Sequence, residues 1–378
     1  MNDKYCHHIE HGLAYDVNGR TAPCCQFRGN DDPTFIKPDD YFQSDWLANI
    51  KQQMYNGEEI EGCQRCYKDE AISGNSYRTS TNQSQEKKLH FTYSNICNKS
   101  CNVCRPQRSH LVGLDYKKVL EKDPDNYFMQ EKFKKQENTA KIVQSGKLKL
   151  ESIVDWVAQN KFKNVIHRFN LIEFDGGEPF MHPELHKMFD MLLEENYQGQ
   201  LVITSNGSVN VDYLEKLKQF NKVKIRLSID GVYDLYEVVR PPHKWDWLVE
   251  KVNLIKQYKN IELGGSAVIH VFNVHQLSDM ILEFEKLGFN KISLNPLGQQ
   301  EYLHASLCPE EVLQDSIKQI ENIDSQRYSK VINYLKGCIS KTVTTEQVKL
   351  FHAYIDSFGP VKNINYQQYI PWNFELIK

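Results

Sequence analysis

The sequence predicts an α/β protein: a partial (β/α)6 TIM-like barrel with a small cysteine-rich module before it and a helical extension after it. Three observations lead there. Strand-like and helix-like segments alternate between residues 89 and 297. The cysteines crowd ahead of that alternation and at its start. After residue 297 the apolar spacing is helical. The expected divisions are therefore 1–88, 89–297 and 298–378.

Residues 1–88 read as small and irregular. LAYDVNGRTAPCC reads as a β-hairpin, with Asn18-Gly19 supplying the positive φ angles of a tight turn. Ser44 is placed to cap a helix that buries Trp46, Leu47, Ile50 and Met54 on one face. The polar stretch STNQSQEKK reads as a linker. From residue 89 the strands are expected at 89–95, 169–174, 200–206, 223–229, 264–272 and 291–296. Amphipathic stretches such as ELHKMFDMLLEEN and LSDMILEFEKLG separate them, as parallel strands with outer helices require. Residues 115–150 interrupt the pattern with a strongly charged segment, read as a solvated helical excursion or, alternatively, a substrate-contacting flap. Pro309 is placed to start a C-terminal helix. The aromatic tail YQQYIPWNFELIK is suited to packing back on the barrel.

Composition narrows the function. The chain has 378 residues, 40% hydrophobic and 25% charged, with a net charge of −3. No Lys/Arg run is long enough for a nucleic-acid footprint, and no apolar stretch reaches membrane-spanning length. The first residues lack the apolar core of a signal peptide, so a cytoplasmic location is expected. Ten cysteines in that compartment read as metal ligands or catalysts before disulfides.

Cys97, Cys101 and Cys104 follow the first barrel strand in a C-x3-C-x2-C pattern. Structural zinc wants four protein ligands, and the nearest downstream histidine is His110, so an iron–sulfur site is favoured over zinc. Three thiolates on a cubane leave one iron open, as metal catalysis requires.

CNKSCNVC at the end of a first strand resembles the radical S-adenosylmethionine superfamily. Val103 stands where that family often has an aromatic residue. The resemblance extends to Gly176-Gly177-Glu178, similar to the motif that holds the methionine amino group. It extends further to Thr204-Ser205-Asn206-Gly207 and Ser228-Ile229-Asp230-Gly231. It implies a 4Fe-4S cluster on the three cysteines and S-adenosylmethionine contacts from Gly176, Gly177, Glu178, Ser205, Asn206, Ser228, Asp230 and Asn273. It also implies reductive cleavage to a 5′-deoxyadenosyl radical, with a flavodoxin or ferredoxin as electron donor. Arg240 reads either as a carboxylate-binding arginine or as a surface residue on a Pro-rich loop.

Cys6, Cys24, Cys63 and Cys66 form a second set that fits zinc or a 4Fe-4S cluster. The Gly19-to-Cys24 spacing and Pro23-Cys24-Cys25 resemble the start of a twitch or SPASM domain, which implies an auxiliary 4Fe-4S cluster. Such domains usually follow the barrel, and the further SPASM cysteines are missing here, so twitch-like is the better description. Cys24 and Cys25, adjacent on an expected strand, should point to opposite faces, with Cys24 the ligand. His7, His8 and His11 could substitute as ligands but read first as exposed. Cys308 and Cys338 read as small buried hydrophobes, or as donors of a hydrogen atom to a substrate radical. The substrate is expected to be a peptide, a protein or a small metabolite. Early entry into the cysteine module argues against a separate leader-binding domain. A non-catalytic zinc-stabilised binding module is the competing reading.

Overall fold

The structure, a computed structural model, describes residues 4–15, 20–28, 36, 38–92, 94–133, 143, 148–149, 163, 165–182, 184–289, 291–298 and 300–373. The chain divides into two compact units, Met1–Ile96 with Leu150–Ile225 and Tyr258–Glu262, and Cys97–Lys149 with Arg226–Gln257 and Leu263–Lys378.

The first unit is built on strands β1 (Leu13–Tyr15), β2 (Thr21–Ala22), β3 (Lys88–Thr92), β4 (Leu171–Asp175), β5 (Gln200–Ser205) and the first half of β6 (Val223–Ser228). Their order is β2-β1-β3-β4-β5-β6. β1 and β2 are antiparallel, as the hairpin pattern predicts, although its turn lies outside the described residues. β1 is also parallel to β3, so the cysteine-rich segment extends the sheet. Register places Tyr15, Phe91 and Phe174 side by side on β1, β3 and β4. Their rings stack in two steps of 5.8 Å, the cross-strand pairing that fixes register where one face is buried. The helix Leu185–Glu194 covers this layer through Leu185, Met188, Phe189 and Leu192, all fully buried.

Two expectations for this unit need correction. STNQSQEKK is not a linker, because Tyr77–Ser84 is helical. A capping box between Ser76 and Thr79 starts the helix, and Arg78 is drawn inward by Glu70 and the Tyr5 carbonyl. Cys24 and Cys25 are not on a strand, since β2 ends at Ala22 and the chain bends there. The Ser44 cap is present and accepts from the Leu47 N–H at 3.2 Å.

The second unit holds the rest of β6, most of β7 (Ile261–Ile269) and β8 (Lys291–Pro296), in the order β6-β7-β8. β7 and β8 are parallel. All six barrel strands read from the sequence exist, with each end within three residues of its expected place. The start of the charged excursion is less solvated than its composition suggests. His110–Lys122 and Tyr127–Phe133 are helices that bury Tyr116, Val119, Phe128 and Met129. Phe128 packs on Phe358 of the helix Thr345–Lys362 with centroids 5.4 Å apart. The excursion's remainder falls largely outside the described residues. Pro309 is the N-cap of the helix Glu310–Asp324, one position before the first turn. Tyr366 of the tail stacks on Phe272, just past β7, at 4.9 Å. No helix among the described residues is long and apolar enough to cross a membrane.

Candidate active site and cysteine cavity

In the second unit, the loop from Cys97 to Cys104 is held at every step. The Cys97 N–H donates to His110 Nδ1 at 3.2 Å. Lys99 is fully buried, bonded to the Tyr236 hydroxyl, with its ammonium 4.5 Å and 5.0 Å from the Tyr236 and Trp247 ring centroids. Ser100 N–H donates to the Pro241 carbonyl and Asn102 N–H to that of Val239, each at 3.0 Å. These bonds fix the backbone of the segment that carries the three thiols. Cys97 and Cys101 are buried and Cys104 is half-buried. Burial pushes the Cys104 thiol up to about 11, opposed by Arg240 and Arg108. Any metal bound there would have to displace a proton.

Arg240 is not a surface residue. It is 8% exposed and paired with Asp230. Burial disfavours its charge, but Cys101 and Asp230 outweigh burial and keep it protonated. Asp230 also accepts the Val268 N–H at 2.8 Å. The Asn273 amide donates to the carbonyls of Asp230 and Val268, at 2.9 Å and 2.8 Å, and its oxygen accepts the His270 N–H. Asp230 and Asn273, expected as cofactor contacts, thus act as braces at the ends of β6 and β7. Ser228 ends β6 and is half-buried.

In the first unit, β4 runs into Gly176 and Gly177 with φ of 87° and 55°. A Cβ on Gly176 would stand 2.4 Å from Thr92 Cγ2, and one on Gly177 would stand 2.2 Å from the Ile96 carbonyl oxygen. Only glycine admits both this backbone and this approach. Glu178 is 1% exposed. Its carboxylate accepts from Ser205 Oγ at 2.8 Å, from the Asn206 N–H at 2.6 Å and from the Phe180 N–H at 3.2 Å. Glu178 therefore ties the end of β4 to the end of β5. Both of its oxygens are engaged within the chain.

The second cysteine set also converges in this unit. Cys6, Cys24, Cys63 and Cys66 line one small pocket with His8, Tyr77 and Arg78. Cys6, Cys63 and Cys66 are buried, and burial pushes all four thiols up. Among the described residues, no group of three His, Cys, Asp or Glu is gathered so as to hold a single metal ion. His7 and His8 are 3% and 2% exposed, contrary to the expectation of exposed histidines. His8 stacks on Tyr77 at 5.1 Å.

Cys25 faces elsewhere, although not for the reason strand alternation suggests. Burial raises its thiol, but adjacent His90 outweighs burial and holds it below the ordinary range. His90 Nε2 lies 3.1 Å from Asp175 Oδ2, and Thr92 Oγ1 donates to Asp175 Oδ1 at 2.6 Å. This Cys–His–Asp grouping adjoins Gly176 in the chain. Cysteine spacing gave no hint of it, because His90 and Asp175 are 85 residues apart and meet through strand register. Cys308 and Cys338 are 0% and 3% exposed in the second unit. Cys308 donates to the Val271 carbonyl at 3.5 Å, and burial pushes Cys338 up to about 11, so both behave as core thiols.

A family model described as the radical SAM superfamily matches residues 91–284. No curated protein matches the sequence. Among solved structures, anSMEcpe with bound AdoMet and Cp18Cys peptide is 16% identical, with a TM-score of 0.43 over 65% of this chain and 61% of that one. Streptococcus suis SuiB bound to precursor peptide SuiA is 11% identical, with a TM-score of 0.39 over 79% of this chain and 54% of that one. TYW1 with a lysine-pyruvate adduct is 13% identical, with a TM-score of 0.36 over 74% of this chain and 89% of that one. The chain thus spans less than two thirds of the length of the first two.

Proposed function

The chain belongs to the radical SAM superfamily, and on that premise we propose that it reductively cleaves S-adenosylmethionine at a site built from Cys97, Cys101 and Cys104 and abstracts hydrogen from an organic substrate. The observation that carries this is the loop itself: three thiols after β3, held by backbone and side-chain bonds between them. Three thiols on so short a loop suit a 4Fe-4S cluster with an open iron. When bound, that cluster supplies the electron that breaks the sulfonium–carbon bond, giving methionine and a 5′-deoxyadenosyl radical. The Gly176 and Gly177 carbonyls receive the methionine ammonium group. Glu178 keeps those carbonyls in place through Ser205 and Asn206. Ser228 is the ribose contact, and Arg240 supplies positive charge beside Cys101.

Cys6, Cys24, Cys63 and Cys66 hold an auxiliary 4Fe-4S cluster in this reading, in a twitch-like module placed before the barrel. Four thiols on one cavity support it. Full coordination would suit it to electron transfer. The substrate is a peptide, a protein or a small metabolite, and a flavodoxin or ferredoxin supplies the reducing electron.

Anaerobic reconstitution followed by dithionite and S-adenosylmethionine tests the central claim. Methionine and 5′-deoxyadenosine should form, and Cys97→Ala, Cys101→Ala or Cys104→Ala should abolish both. Iron and sulfide should approach about eight each per chain, as two 4Fe-4S clusters require. A colourless protein containing zinc, with no cleavage after reconstitution, would instead identify a zinc-stabilised binding module.

A further inference from the structure

The cluster loop is gripped from the C-terminal extension, beyond the part of the chain that the family model matches. Three side chains reach it, all within the second unit. Gln300 Nε2 donates to the Val103 carbonyl at 2.8 Å. Tyr366 Oη donates to Asn102 Oδ1 at 3.1 Å. Lys362, the last residue of the helix Thr345–Lys362, sends its ammonium group to Ser100.

Lys362 stands apart from the other two because it carries charge into a buried place. Its side chain is 5% exposed. Nζ donates to the Ser100 carbonyl and to Ser100 Oγ at 2.8 Å, and lies 3.1 Å from Asp115 Oδ2. Asp115 in turn accepts from Ser100 Oγ. An ammonium group has three donors, and here all three are used. Burying a charged pair returns little or no net stability against an apolar packing of the same volume. Its retention in the wall of a thiol loop therefore asks for a reason other than stability. Ser100 precedes Cys101 directly, so the grip sets the path of the backbone between two ligands. Burial lowers the Lys362 ammonium, and Asp115 first, then the Cys101 and Cys104 thiols, oppose that lowering and favour its charge; charge near a cluster is a main determinant of its potential.

We propose that Lys362 is a positioning residue for the cluster loop: it fixes the Ser100 backbone and places a positive charge beside Cys101 and Cys104 that makes the bound cluster easier to reduce. Asp115 opposes that charge and sets how much of it the loop feels. The inference rests on Cys97–Cys104 being the cluster site.

The test is a redox titration of the reconstituted full-length protein with S-adenosylmethionine present, followed by electron paramagnetic resonance. Only a cluster with an open iron changes its signal when S-adenosylmethionine is added, so the auxiliary site does not interfere. Lys362→Met should move the midpoint to more negative potential at normal iron content. Lys362→Arg should return it toward wild type. Asp115→Asn should move it the opposite way, and it decides the matter if Lys362→Met cannot be loaded. Wild-type midpoints in loaded Lys362→Met, or in Asp115→Asn where it must decide, overturn the proposal. A wild-type protein with no signal that responds to S-adenosylmethionine overturns the cluster reading instead, which keeps the two failures distinct.

Discussion

Gly177→Ala should be far more damaging than Gly74→Ala, although both glycines have positive φ. Gly74 caps the helix Gln64–Ser73 at φ 70°, and a Cβ there meets nothing within 4 Å. Its substitution carries only the left-handed backbone penalty of about 1–2 kcal/mol. Gly177 has φ 55° and carries that penalty too. In addition, its Cβ would stand 2.2 Å from the Ile96 carbonyl oxygen, where ordinary contact begins at 3.4 Å. The obstacle is backbone and cannot swing away as a flexible side chain would. Overpacking of this kind costs about 1–3 kcal/mol. The same oxygen accepts the Glu178 N–H at 2.8 Å, so retreat stretches that bond as well. Losing it adds about 1 kcal/mol. Together Gly177→Ala should cost about 4 kcal/mol, roughly 3 kcal/mol more than Gly74→Ala. Urea midpoints measured side by side on the two variants read that gap. S-adenosylmethionine affinity should fall for Gly177→Ala and stay at wild type for Gly74→Ala. Equal midpoints for the two would show that the close approach at Ile96 is not a constraint, and the reasoning would fail.

Two further outcomes are expected. Cys24→Ala should lower iron per chain after reconstitution, while Cys25→Ala should leave it unchanged, because Cys24 lines the four-thiol cavity and Cys25 faces His90; equal iron loss in both would reverse that assignment. Stability should also fall in mild acid. Burial lowers His270 from 6.5 to about 4, so above 6.5 the ring is neutral in both states. As pH falls from 6.5 toward 4 the unfolded chain takes a proton that the folded chain refuses, a loss of about 3 kcal/mol that levels off below 4. Urea unfolding across that range should show His270→Asn flattening the curve by this amount, and an unchanged slope would mean that His270 does not contribute.

The barrel strands were legible because their information is local: apolar runs of the right length, several of them followed closely by glycine, serine or asparagine. The proposal for the Cys97–Cys104 loop was within reach for the same reason, since its spacing lies within eight residues. What stayed hidden depends on contacts that spacing does not encode. The helix Tyr77–Ser84 has no apolar stripe to announce it, so its C-terminal half, within STNQSQEKK, was read as linker, and the capping box and buried Arg78 that start it carried no signal in spacing. Glu178 was singled out from its motif, but the company it keeps was not legible: the N–H groups of Phe180 and Asn206 and the Ser205 hydroxyl bond to it, which makes it a brace between β4 and β5. Arg240 shows the same limit in reverse, because a Pro-rich loop suggests exposure and only Asp230 and Cys101 explain its burial. Lys362 lies 261 residues after Cys101, in a helix with no motif of its own. A lysine near the end of a helix is ordinarily a solvated charge that complements the helix dipole. Only the approach of that helix to Ser100 brings it to the loop, which is why a proposal for the loop could be drawn from eight residues and its electrostatic setting could not.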